Sequence, residues 1–308
     1  MNPRYKSFAT LPWARKLNYL KFSTSSWTAL LLLFCFLFIY FYFFAFCFNI
    51  IDEISDRLLL KRFYQCMYEN VEDAQKLIEI NYLIRNSYPH IFLKRDPNDA
   101  SSRQTFEYAD MVPLPGLTKE KYKITFFRLN DPDPKKVLNK IHIQLKFGFN
   151  RIMNHTEDTK GYIMVTDCRF CSPDLVNDDS LSEGEVQIFD MTGFSLKHAA
   201  RFSMSSLRIY MKFLHQAFPV RIKCIHMINC PPYLDRLISV VRPFISKEIY
   251  FHTASIDTLY EHVPRELLPD EYGGSAGKLS DLKAQFMQVM SDKRDYLMDP
   301  NYWKVESS

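Results

Sequence analysis

Between residues 121 and 252, short runs rich in β-forming residues alternate with longer amphipathic stretches, and this alternation constrains the fold more than any other feature. The β-rich runs have the length and composition of strands. They cover residues 121–129, 186–191, 222–229 and 249–252. The run IKCIHMIN is almost continuously apolar, which is typical of a central strand covered on both faces. Strand–helix–strand alternation predicts an α/β fold with a mostly parallel sheet and helices packed against it.

The stretches between and after these runs have apolar residues at helical spacing. They predict helices over residues 133–153, 195–216, 231–241 and 279–297. Pro134 falls in the first turn of the first of these helices, where proline is tolerated because no N–H is needed. The second helix has an apolar face formed by Phe202, Leu207, Tyr210, Phe213 and Leu214.

The region before the first strand divides into two parts. Residues 52–96 show two successive helical patterns and predict a small helical unit, with Glu72 and Asp73 favourably placed in the first turn of its second helix. Residues 97–118 are polar and contain Pro97, Pro113 and Pro115, so they predict a linker or an extended loop.

Residues 22–51 form an apolar segment without a charged residue, after a basic tail at residues 1–21. The segment is long enough to span a bilayer as one helix. Basic residues precede it and Asp52, Glu53 and Asp56 follow it, so the positive-inside rule would place the N-terminus in the cytoplasm. A second interpretation is that the segment is absent from the mature protein, because translated pyrimidine-rich non-coding sequence gives runs of Phe, Leu, Tyr, Ile and Cys.

Charge and cysteine content exclude several classes of protein. The formal net charge is only +4, with no strong basic stripe, so we expect no nucleic-acid partner. The seven cysteines are odd in number and irregularly spaced, which argues against a disulfide framework and for reduced thiols in the cytoplasm.

No set of residues indicates catalysis, a metal or a cofactor. Cys168 and Cys171 form a C-x-x-C without a second pair, and we interpret them as plain loop cysteines. His226 is expected in the core, and His198 and His215 at the surface. Asp190 ends a strand before Thr-Gly, so a turn role is favoured over a catalytic one. No nucleophile, base and orienting residue come together, and we expect no enzyme.

Residues 183–274 contain a specific series of motifs. They read EGEVQIFDMTGFSLKHAARF, then FLHQAFPVRIKCIHMINCPPYLDRLISVVRPFISKE, then LPDEYGG. In this order they resemble the CRAL-TRIO family of lipid carriers, in its α-tocopherol- and retinaldehyde-binding branch. The stretch LLLKRFYQCMYENVEDAQKLI resembles the family's small N-terminal helical unit. The resemblance extends over residues 52–297 and does not include the apolar segment.

This resemblance implies a mixed β-sheet with helices and a lid helix, after a small all-α unit. The lipid-binding domain would cover residues 119–276, followed by a C-terminal helix and tail at 277–308. The ligand would be a small hydrophobic lipid such as a tocopherol or a retinoid. Its pocket would be lined by Phe189, Phe202, Tyr210, Phe213, Leu214, Phe218, Val220, Ile222 and Ile225. The lid would contribute Leu234, Leu237, Ile238, Val241 and Phe244.

Some members of the family also bind phosphoinositide headgroups near the lid. The matching basic positions here are Arg221, Lys223 and Lys247, whereas Gln65 and Met67 stand where relatives carry further basic residues. The implied partners are a lipid ligand and a membrane surface, for a monomer that is cytoplasmic with peripheral membrane contact, or single-pass if the apolar segment is present. The alternative is a membrane-anchored interaction module whose pocket is filled by its own side chains.

Overall fold

The computed structural model describes residues 54–130, 155–174, 181–199, 204–234, 238 and 248–303. The basic tail, the apolar segment 22–51 and the predicted helix 133–153 lie outside these residues. Within the described ranges, no helix combines the length and apolar character needed to cross a membrane.

Five strands form one sheet in the order β1 to β5. They are Ala109–Pro113 (β1), Tyr122–Leu129 (β2), Gly184–Asp190 (β3), Ile222–Ile228 (β4) and Glu248–His252 (β5). The first pair is antiparallel and the other three pairs are parallel. This arrangement confirms the predicted α/β class with a mixed sheet.

Eleven helices and two 3-10 turns surround the sheet in the described residues. The helices are Ile54–Cys66 (α1), Val71–Ser87 (α2), Pro89–Phe92 (α3), Ala100–Tyr108 (α4), His155–Phe170 (α5), Leu196–Ala199 (α6), Met204–Gln216 (α7), Asp257–Tyr260 (α8), Leu279–Asp292 (α9), Arg294–Met298 (α10) and Pro300–Trp303 (α11). The two 3-10 turns are Arg265–Leu267 and Asp270–Tyr272.

Side-chain alternation along the strands gives the sheet two differently covered faces. The inner face carries Phe127, Phe189 and Met227, and it packs in one apolar cluster with side chains of α1, α2, α3, α5 and α7. The outer face carries Phe126 and Ile188, which cluster with side chains from α8 and the start of α9. The candidate site lies on the inner face.

The prediction of a linker over residues 97–118 is corrected by the structure, because these residues contain helix α4 and strand β1. The side chain of Asp99 caps α4 by accepting a hydrogen bond from the Ser102 N–H at 2.7 Å. The helix buries Ser102, Thr105 and Phe106, of which only one is a large apolar residue, so it gave no amphipathic pattern. The sheet therefore begins at residue 109, before the predicted domain start at 119.

Helix α5 was not predicted, and its C-terminal end corrects the interpretation of the cysteines. Residues 161–171 are all buried, so the helix has no polar face to reveal its period. Cys168 lies in its last turn and not in a loop, Cys171 directly follows the helix, and both are buried. Burial raises the pKa of both thiols, which keeps them protonated and unreactive.

Two other predicted helices are divided differently. The helix predicted over 195–216 appears as α6 and α7, and residues 200–203 between them are outside the described ranges. The helix predicted over 279–297 is interrupted at Lys293, between α9 and α10. Of the five predicted lid side chains, Leu234 and Ile238 lie within the described residues, and both are buried.

Candidate functional site

A series of aromatic rings covers the middle of the inner face. Phe127 of β2 and Phe189 of β3 stack with centroids 4.5 Å apart and planes 10° apart. Tyr162 of α5 stacks on Phe127 at 5.4 Å, and Tyr210 of α7 meets Tyr162 edge-on at 4.9 Å. Four elements thus contribute to one aromatic surface, in geometries that aromatic pairs prefer.

The structure brings most of the predicted pocket residues into the apolar cluster on the inner face of the sheet. Phe189, Tyr210 and Leu214 are half-buried in it. The buried members are Phe213, Phe218, Val220, Ile222, Ile225, Leu234 and Ile238. The positions outside the described residues are Phe202, Leu237, Val241, Phe244 and Lys247. A binding role for any of these residues stays a prediction.

Phe213 and Phe218 differ from the half-buried residues, because they face other helices. The Phe213 ring lies 4.9 Å from Phe92 of α3 and the Arg85 guanidinium lies 5.0 Å from it. Phe218 meets Phe170 edge-on at 5.1 Å. The Phe213 ring therefore joins the N-terminal helices to the sheet domain, whereas the Phe218 ring packs against α5.

Several members of the inner-face cluster were missed at the level of sequence. They include Phe127, Tyr162, Met191, Ile209, Met227, Ile249 and Phe251. Strand alternation could have found Met227, because it lies two residues after Ile225 and so shares its face. Tyr162 gave no such signal because its helix is buried on all sides.

A buried polar network runs from the aromatic surface to helix α1. The Gln187 side-chain N–H donates to the Tyr162 hydroxyl at 2.7 Å and to Glu185 at 3.3 Å. Glu185 pairs with Arg169, and Asp174 accepts from Arg62 at 2.8 Å. A short hydrogen-bonded chain of this kind holds the polar residues of the inner face in place.

At Asp174, the acidic end of this network, ion pairing has a larger effect on the carboxylate pKa than burial has. Burial by itself would raise the pKa of Asp174, but the charges of Arg62 and Arg169 lower it well below its usual range. The Lys123 ammonium group donates to the backbone carbonyl of Asp174 at 2.9 Å. Burial lowers the pKa of Lys123 to about 8.

The predicted phosphoinositide residue Arg221 is engaged in internal contacts. Its guanidinium donates to the Gln65 carbonyl at 2.9 Å and to the Glu183 carboxylate at 2.8 Å, and it lies 4.3 Å from the Tyr68 ring. Lys223 lies 5.1 Å from the ring of Tyr122. A phosphate group at Arg221 would have to replace the carboxylate of Glu183, so headgroup binding there stays a prediction.

Asp190 has the turn role that the sequence indicated. Its carboxylate accepts from the Thr192 N–H at 2.9 Å, from the Asn229 amide at 2.9 Å and from the Tyr272 hydroxyl at 2.6 Å. These contacts tie together the ends of β3 and β4 and the loop after α8. Asn229, held by Asp190, has φ 53°, a left-handed conformation that asparagine tolerates.

Of the three predictions of histidine burial, those for His226 and His215 are confirmed and that for His198 is wrong. His226 is a core residue, as predicted. His198 was predicted at the surface, but it is buried, and its Nδ1 accepts from the Ser195 N–H at 2.9 Å. His215 is exposed, as predicted. Across the described ranges, no group of three or more His, Cys, Asp or Glu side chains is arranged to hold a metal ion.

Three imidazoles cluster at the edge of the sheet formed by β4 and β5. The Nδ1 of His226 and the Nε2 of His252 are 2.9 Å apart, and the His262 ring lies 5.2 Å from that of His226. Cys224 Sγ lies 3.3 Å from His226 Nε2, and the Tyr250 ring stacks on His226 at 5.1 Å. Burial, with the nearby His252 and His262, lowers the pKa of His226 to about 3.

This histidine cluster predicts a loss of stability in acid. Because the pKa of His226 is lower in the folded chain than its ordinary 6.5, the stabilisation is complete above pH 6.5 and is lost as the pH falls from there towards 3. We expect the free energy of unfolding to fall by at most about 1.4 kcal/mol per pH unit from this group. Urea unfolding at pH 7.5, 6.5 and 5.5 would measure it.

His226→Phe keeps a stacked ring and should flatten this pH dependence, whereas exposed His215→Gln should retain the wild-type slope. Equal slopes in all three proteins would show that the cluster does not sense acid.

Two family models match the chain. The model described as "CRAL/TRIO domain" matches residues 109–274, more than half of the chain, and the model "Pinta-like, UBA domain" matches residues 49–102. The chain therefore belongs to the CRAL/TRIO family, as its sequence motifs indicated, and its N-terminal helices are similar to a UBA domain.

Curated relatives match over shorter stretches. "Alpha-tocopherol transfer protein-like" of Mus musculus is 28% identical over 129 residues, covering 41% of this chain and 37% of the relative. "Clavesin-2" of Homo sapiens is 34% identical over 105 residues, covering 32% of each chain. The match thus spans about a third of the relatives' length. A solved structure, "Crystal structure of Sfh5", is 14% identical with TM-score 0.46 and covers 75% of this chain and 76% of that one.

Proposed function

We propose that this chain binds one small hydrophobic lipid, such as a tocopherol or a retinoid, between the inner face of the sheet and helix α7, and carries it between membranes. The observation that carries the proposal is the packing of half-buried Phe189, Tyr210 and Leu214 against one apolar cluster. Membership of the CRAL/TRIO family and the printed name of the tocopherol transfer protein-like relatives support it. The proposal describes a carrier and assigns no catalytic step.

Apolar contact supplies the affinity in this proposal. A ligand gains about 25 cal/mol for each Å² of apolar surface that it removes from water. An apolar pocket discriminates poorly between ligands that differ by one or two methylene groups. The apolar lining alone therefore supports the class of ligand, a small lipid, and leaves several members of that class as candidates.

The predicted lid completes this proposal. Leu234 and Ile238 are buried in the same cluster as the pocket residues, which supports a lid over that side of the site. Exchange would require the lid to expose its apolar face to a membrane. Membrane contact, with headgroups at Arg221, Lys223 and Lys247, is the finer part of the proposal, and the chain would act as a monomer.

Filling the site tests the proposal. Leu214→Trp adds bulk at a half-buried position, so we expect the affinity for retinol or α-tocopherol to fall by about tenfold or more, because the ligand and the indole compete for one space. Retinol fluorescence titration, with tocopherol as competitor, measures this affinity.

Leu83→Trp is the matched control, because Leu83 is exposed on α2 and belongs to none of the apolar clusters around the sheet. We expect it to bind like the wild type. Unchanged affinity in Leu214→Trp would place the ligand elsewhere, and wild-type protein that binds neither lipid would favour the interaction-module alternative.

A further inference from the structure

Next to the aromatic surface, the inner face of the sheet carries buried polar side chains. Thr125 of β2 and Gln187 of β3 are partners in the parallel register, two residues before Phe127 and Phe189 respectively. Since side chains two apart on a strand share a face, Thr125 and Gln187 point to the same side as the two rings. Both are almost completely buried, at 1% and 2% exposure.

Neighbouring polar side chains on this face have internal partners. Gln187 donates to Tyr162 and Glu185, and Glu185 pairs with Arg169. Lys123, two residues before Thr125, donates to the carbonyl of Asp174 at 2.9 Å. These contacts fix the side chains around Thr125 and leave them little freedom to turn towards it.

The Thr125 hydroxyl differs from the side chains of Gln187, Glu185 and Lys123. Its Oγ1 is buried and has no hydrogen-bond partner within the described part of the chain. Such groups are uncommon in native proteins, because a buried polar atom without a partner has lost its hydrogen bonds to water. An unpaired hydroxyl beside the aromatic surface of a ligand site is ready to bond an atom of the ligand.

We propose that Thr125 forms a polar subsite for the end of the bound lipid, with Gln187 and Tyr162 holding its surroundings. This inference rests on the proposed carrier function. A hydroxyl can both donate and accept, so it suits a neutral alcohol, phenol or carbonyl. A deeply buried anion would lose its hydration against one neutral donor, so a free carboxylate fits less well. The ligand class is a neutral lipid with one oxygen at its buried end.

The test compares two probes of the same shape, retinol and its deoxy analogue, which lacks the hydroxyl. We expect the wild-type chain to bind retinol about tenfold more tightly, because only retinol satisfies Thr125. In Thr125→Val this preference should disappear. The melting temperature of ligand-free Thr125→Val should stay the same or rise, because the variant removes an unpaired buried hydroxyl without changing volume.

Thr166→Val is the matched control. Thr166 is also buried, but its hydroxyl donates to the Ile163 carbonyl at 3.0 Å within helix α5. This variant should lower the melting temperature and keep the preference for retinol. The two threonines thus predict opposite effects on stability and on binding.

The outcomes separate the inference from the function on which it rests. Equal affinity of the wild type for both probes, or a preference retained in Thr125→Val, would overturn the subsite and leave the carrier function intact. Binding of neither probe to the wild type would overturn the carrier function for this ligand class, and the subsite with it.

Discussion

Asp167→Asn is expected to lower the free energy of unfolding by about 3–5 kcal/mol, the range found when a buried ion pair loses one partner. Asp167 lies on α5 and is buried. It accepts hydrogen bonds from Arg85 at 2.8 and 2.9 Å, and it also pairs with Arg95. Removing its charge would leave two guanidinium groups buried without a counter-charge.

Together with Trp303, the buried triad of Arg85, Arg95 and Asp167 connects three parts of the chain. The Trp303 ring, near the end of the described residues, lies 4.3 Å from the Arg85 guanidinium and 4.4 Å from that of Arg95. Although burial opposes ionisation, the two arginines lower the pKa of Asp167. We therefore expect Asp167→Asn to loosen the N-terminal helices and the C-terminal end together.

Urea unfolding followed by circular dichroism and tryptophan fluorescence would measure this loss. Asp73→Asn is the matched control, because its ion pair with Lys76 and its place in the first turn of α2 are both exposed to solvent, so its loss should cost far less than that of Asp167. A midpoint for Asp167→Asn as high as that of the control would contradict the account of this buried triad.

Phe213→Ala is expected to cost about 3–5 kcal/mol, as for other fully buried phenylalanines. Phe213 has no exposed surface, and it contacts Phe92 and the Arg85 guanidinium. Its removal would leave a cavity between α7 and the N-terminal helices. The measurement is again urea unfolding, combined with retinol titration.

The adjacent residue gives a matched comparison. Leu214 is half-buried in the same cluster, so Leu214→Ala should cost less stability and more of the ligand affinity. If Phe213→Ala instead left stability nearly unchanged and abolished binding, Phe213 would be a pocket residue first and a core residue second.

Strands and exposed helices were predictable because their composition or periodicity is visible in the sequence. The strand 222–229 is an almost continuous apolar run of β-forming residues, the long helix ending near Gln216 has one apolar face, and the structure has both. Helix α5 was not predictable in this way, because every residue from 161 to 170 is buried and the pattern has no contrast. Helix α4 was missed for the opposite reason, since it buries mainly short polar side chains.

For the candidate site, the sequence supported an expectation for the apolar part only. The resemblance to the family implied Phe189, Tyr210 and Ile225, and the structure places all three in the inner-face cluster. Sequence could not show that Arg221 pairs with Glu183, because that contact joins residues 38 apart through tertiary structure. It also could not show that the Thr125 hydroxyl lacks a partner, since this depends on the positions of all its neighbours.

The central claim is that the inner face of the sheet holds one lipid, and native mass spectrometry of the full chain purified from cells tests it most directly. We expect a mass excess of one small neutral lipid per chain, which solvent extraction releases, and which is absent from Leu214→Trp. A folded wild-type chain that carries no lipid, and takes up neither retinol nor α-tocopherol from vesicles, would contradict it.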